Sequence, residues 1–136
     1  FDLELAMLEG NLAITDLRDA WNARYESDLG LTPDSDKNGV LQDVHWFHGH
    51  IGGMFQGYTL GNIMAAQFYE TALARHPEIP AEMAAGKYGT LHEFLRSEIY
   101  QHGSRYLPDE LVPRVTGAPL SIRPYMRYLR GKFPLD

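Results

Sequence analysis

Residues 38–62, NGVLQDVHWFHGHIGGMFQGYTLGN, place three histidines, an aspartate, two glutamines, a tryptophan, a tyrosine and six glycines in 25 positions. Selection for stability alone does not produce such a stretch. His45 and His48 lie three residues apart, so on a helix both imidazoles share a face and can share a metal ion. His50 is near enough to join them from a loop, and Asp43 is close by. The spacing supplies no further ligand, so hydrogen-bonded structural or active-site histidines are the simpler reading. Asp43 can orient the His45 ring through its N–H or cap a short helix over 44–48. Trp46 is most simply a core residue.

Two further runs invite a chemical reading. HEFLR, residues 92–96, is one residue short of HExxH, in which two histidines at i and i+4 grip one zinc while the glutamate acts as base. Position 96 is Arg96, a cation that repels zinc, and His102 lies too far along to replace it. His92 and Glu93 are therefore expected on a solvated helix face. The run HGHIGGMFQGYTLGN (48–62) is no phosphate loop, since neither GxxxxGK[ST] nor a GxGxxG after a strand is present. One reading is a loop that needs positive φ or close backbone approach at Gly49, Gly52, Gly53 and Gly57. The other is a cleft-lining loop that ends at Tyr58 and presents its hydroxyl near a helix N-terminus, a placement suited to stabilising an oxyanion.

What must position these residues is mostly helix. The chain has 136 residues, 44% apolar and 22% charged, which suits a single helical domain or part of one. A chain of this size buries roughly two thirds of its unfolded surface. The net charge of −6 argues against nucleic acid or anionic lipid as the main partner. The absence of cysteine excludes disulfides and thiolate metal sites. No apolar run approaches a membrane span, and the opening FDLELAMLEG carries no basic leader, so a cytoplasmic protein is expected. Its apolar stripe Phe1, Leu5, Leu8, Leu12 already runs at the first residue, as if the chain enters in mid-helix from something longer.

Thr15 is expected to cap a second helix with core positions Leu17, Ala20, Trp21 and Tyr25 and an exit at Gly30. LTPDSDKNG (31–39) reads as a polar loop. A strong helix is expected from Thr59, with the stripe Leu60, Ile63, Met64, Phe68 and Ala72, a stop at Pro77, and close helix approach at Gly61, Ala65 and Ala66. IPAEMAAG (79–86) reads as a short helix. Thr90 should cap the next one, with Leu91, Phe94, Leu95 and Ile99 inward. PDELVPRVTG (108–117) holds an internal Pro113 that should kink or shorten it. Ser121 should cap the last helix, with Ile122, Tyr125, Met126 and Leu129 inward. The fold class is all-α, an array of about six mostly antiparallel helices.

GVLQDVHW (39–46) fits the pattern GxxQDxHW at Gly39, Gln42, Asp43, His45 and Trp46. In this it resembles the carboxypeptidase Taq family of zinc metallocarboxypeptidases. YTLGN (58–62) leading into AAQF (65–68), DLRDAWNARYESDLG (16–30), and the long run from Leu91 to Leu129 are also similar to that family. The resemblance covers essentially the whole chain. It implies helical enzymes longer than one typical domain, usually homodimers, that remove C-terminal amino acids from peptides. Their zinc is held by the two histidines of an HExxH helix and a downstream glutamate, and the motif's own glutamate activates the zinc-bound water.

No HExxH occurs in this chain, nor do the family's upstream motifs; IRPYMR (122–127) only echoes one of them. The resemblance therefore implies a C-terminal portion, a chain with no cofactor of its own and inactive by itself, with zinc expected in the full-length enzyme. It assigns Tyr58 to the oxyanion or to substrate contact. Gly39, Gln42, Asp43, His45 and Trp46 become residues of the substrate cleft, and peptide C-termini become the ligand. Members of the family read close to HWSHGSFGYFPTYTLGN. Here Phe47 replaces the serine, and the run before Tyr58 is one residue longer, which shifts the loop geometry. The alternative is an independent, non-catalytic helical module used for binding or dimerisation.

Overall fold

The structure, a computed structural model, describes residues 1–42 and 54–134, and of Phe55 the backbone alone. The described residues form seven α-helices and three short 3-10 turns, with no strand among them. The all-α expectation holds, with one helix more than the approximate count. The chain divides into two compact units, Phe1–Tyr58 and Thr59–Asp136.

The first unit opens with α1 (Asp2–Leu8) and α2 (Leu17–Leu29). The α1 stripe is apolar but faces solvent: Phe1, Leu5 and Leu8 are all exposed, and α1 buries no residue. A 3-10 turn over Ile14–Asp16 leads into α2, so Asp16 takes the N-cap position that the sequence suggested for Thr15. The Thr15 hydroxyl instead reaches the Asp16 carboxylate, at 3.4 Å. The α2 helix buries Trp21, whose indole stacks on the ring of Tyr25 one turn later, centroids 3.6 Å apart. Stacked aromatic pairs of this kind add to what their buried area contributes. Gly30 ends the helix at φ 66°, in the left-handed region, and returns its N–H to the Glu26 carbonyl. A side chain there would be strained, which is why glycine suits this exit. Arg24 bridges α1 and α2, donating to Asp2 at 2.8 Å and to Asp28 at 2.6 Å.

The long helix α3 (Phe55–Arg75) crosses from the first unit into the second. It starts four residues before the expected Thr59. The second unit continues with α4 (Ile79–Ala84), α5 (Gly89–Glu98), α6 (Pro108–Thr116) and α7 (Arg123–Lys132). Its core is Phe68, Ala72, Ile79, Phe94, Val112 and Val115, with Met64, Leu73, Met83, Leu91, Leu95, Ile99 and Leu111 packed around it. Burial of one such large apolar side chain is worth roughly 1.5–3 kcal/mol. The i, i+4 pairing of Phe68 with Ala72 follows from the helical repeat.

Two more expected caps differ in detail. Tyr88, not Thr90, holds the N-cap of α5, and Thr90 falls inside its first turn. Ile122 holds the N-cap of α7, with Ser121 one residue earlier accepting the Arg123 N–H at 3.3 Å. At α6 the Glu110 carboxylate accepts the Leu107 N–H at 3.0 Å. Pro113 sits inside α6 without splitting it. A proline removes one hydrogen bond from the ladder, but Val112 and Val115 on either side are fully buried and anchor the helix to the core. Gly117 then terminates it at φ 77°. Gly61 has open space around it, so no helix approaches it closely among the described residues.

Candidate functional site

The segment from Gly39 to Tyr58 begins in a tightly bonded turn. Ser35 caps the 3-10 turn Asp36–Asn38, its hydroxyl accepting the Asn38 N–H at 3.4 Å. The Asp34 carboxylate accepts from the Asn38 side-chain amide at 2.9 Å and from the Ser35 hydroxyl at 3.1 Å, and these two bonds hold Asp34 below the usual carboxylate range. Asp36 anchors the turn to α2 through an ion pair with Arg18, whose guanidinium is pushed up by that hydrogen bond and by the charge beside it. Both side chains are well exposed, so the pair orients the turn more than it stabilises the fold.

Gly39 is buried at the end of this turn. A Cβ there would lie 2.9 Å from Pro33 Cγ and 3.1 Å from the Ser35 carbonyl oxygen. Its φ of −117° lies outside the left-handed region, and it is the close approach of Pro33 and the Ser35 carbonyl that leaves no room for a side chain. Val40 follows, also buried, and the Leu41 and Gln42 N–H groups return to the carbonyls of Asp36 and Gly39, both at 2.9 Å. The chain is thereby turned so that Gln42 is exposed. Asp43, His45 and Trp46, with His48, His50, Gly49, Gly52 and Gly53, lie outside the described residues.

From Met54 onward two expectations change. The expected loop with positive φ or close backbone approach at Gly57 is absent there: Gly57 is helical, within α3, and has open space around it. Tyr58 was expected at the end of that loop; it sits in the first turn of α3 with its side chain 68% exposed. The helix start was hidden because Gly57, a poor helix former, precedes the strong stripe. Gly39 and Gln42 thus share the turn at the start of the segment, and Tyr58 stands on the helix at its end.

The HEFLR run behaves as its residue types suggest. Arg96 grips Glu93 with two hydrogen bonds, 2.8 and 2.6 Å, and both side chains are exposed on α5. This bidentate pairing is what holds the Glu93 carboxyl below its ordinary range. Among the described residues no group of three or more His, Cys, Asp or Glu side chains could hold a metal ion. The described residues therefore do not fit zinc.

One residue carries more of the architecture than its sequence context revealed. Gln67, only 6% exposed, lies on α3 and holds the connection between α6 and α7. Its amide nitrogen donates to Thr116 Oγ1 at 3.1 Å and to the Pro119 carbonyl at 3.0 Å, and its oxygen accepts the Ser121 N–H at 2.8 Å. The same helix sends Arg75 to the Val115 carbonyl at 2.6 Å, and Glu70 to Arg127 of α7 through bonds of 2.8 and 2.6 Å. A lone glutamine in a helical run has no periodic or spacing signal, so only the fold exposes this role.

Comparison with known proteins places this helical chain in a family. The chain belongs to the carboxypeptidase Taq (M32) metallopeptidase family, whose model matches residues 1–133. It is 42% identical over 132 residues to thermostable carboxypeptidase 1 of Thermus thermophilus, an alignment covering 97% of this chain and 26% of that protein. It is 34% identical over 133 residues to carboxypeptidase 1 of Bacillus subtilis, covering 98% and 26%. Among solved structures, the M32 carboxypeptidase from Deinococcus radiodurans superposes with a TM-score of 0.92 at 53% identity, covering 97% of this chain and 27% of that one. Metallocarboxypeptidase 1 of Trypanosoma cruzi gives 0.89 at 32%, covering 97% and 28%. The chain thus spans about a quarter of the length of the relatives it matches. No helix among the described residues is long and apolar enough to cross a membrane.

Proposed function

We propose that this chain is the C-terminal portion of a zinc-dependent carboxypeptidase that releases C-terminal amino acids from peptides, and that it supplies part of the substrate cleft while the zinc ligands lie elsewhere in a longer, homo-oligomeric, cytoplasmic polypeptide. The observation that carries the reading is the family match along residues 1–133 by a chain a quarter as long as its relatives. The exposed stripe Phe1, Leu5 and Leu8 also favours a chain with more protein beside it over a self-sufficient module.

In this reading Gly39 makes the bend that starts the cleft wall, and Gln42, Asp43, His45 and Trp46 shape it or meet the substrate's C-terminal end. Tyr58 presents its hydroxyl to the oxyanion or to the substrate. Zinc in the full-length enzyme would supply Lewis-acid activation of water. The test is Tyr58→Phe in the longer enzyme, assayed on a peptide with a free C-terminus. Loss of one oxyanion donor lowers kcat by about 10²–10³, with KM and the unfolding midpoint little changed. An unaltered kcat overturns the role of Tyr58.

A further inference from the structure

We draw no further inference here: the strongest candidate, the apolar groove of about 600 Å³ in the second unit that α3, α4 and α5 line with Met64, Phe68, Met83, Phe94 and Ile99, carries nothing because nothing in the structure shows what covers it.

Discussion

Replacing Gln67 by leucine tests whether α3 fixes the α6–α7 connection. Leucine keeps most of the volume and removes both amide atoms, so the core loses hydrogen bonds with little loss of packing. The Ser121 N–H and the Pro119 carbonyl lose their partner at 2.8 and 3.0 Å. An unsatisfied buried polar group costs about 1–3 kcal/mol. Ser121 is half-buried and Pro119 is exposed, so water recovers much of the carbonyl's loss. The lower part of the range then applies, about 2 kcal/mol in all. Urea slopes for small proteins are about 1–3 kcal/mol/M, so the midpoint should fall by roughly 1 M. Far-UV circular dichroism across a urea series measures it. Asn62→Gln, on the same helix at an exposed site, is the control. A Gln67→Leu midpoint equal to the control's refutes the clamp.

Two glycines of the candidate segment should respond in opposite ways. Gly39→Ala forces a Cβ against Pro33 and the Ser35 carbonyl, an overpacking cost of about 1–3 kcal/mol. Gly57→Ala falls on an open, helical position and should leave stability equal or raise it by up to about 1 kcal/mol. Thermal unfolding of the two variants checks both, and a destabilised Gly57→Ala contradicts the helical start of α3. Acid should weaken the fold in a defined direction. Asp34, Glu70 and Glu93 have folded pKa values lowered chiefly by hydrogen bonds, from Asn38, Arg127 and Arg96 respectively. Their contribution is present above the ordinary carboxylate range of about 4 and is lost as pH falls through the lower folded values. Urea midpoints measured from pH 5 downward should decline, less steeply in a Glu70→Gln, Glu93→Gln double variant. An identical slope in that variant would remove these pairs from the account.

Much of the fold was readable wherever a residue type has a single physical use. Gly30 and Gly117 ended helices because glycine alone adopts the left-handed cap without strain. Phe68, Ala72 and Phe94 went to the core because helical spacing put them on one face. Caps were harder to place: Thr15, Thr90 and Ser121 each lie one or two residues from the N-cap actually used, and none of the residues there, Asp16, Tyr88 and Ile122, makes a side-chain cap hydrogen bond that a sequence could signal. The start of α3 was hidden by Gly57, whose conformation the strong helix downstream decides. Of the candidate site, the requirement for glycine at position 39 becomes physical only once Pro33 and Ser35 are seen beside it. Gln67 gave no signal because its four partners, Thr116, Ala118, Pro119 and Ser121, lie 49 to 54 residues away in the chain.

The most direct test of the proposed division of labour is made on the 136-residue chain itself. The chain is equilibrated with excess zinc, passed through a desalting column, and examined for bound metal and for release of the C-terminal amino acid from an N-blocked peptide. The proposed function predicts no stoichiometric zinc and no release. One equivalent of zinc retained by the chain and lost in His45→Ala, accompanied by release of the amino acid, would contradict it.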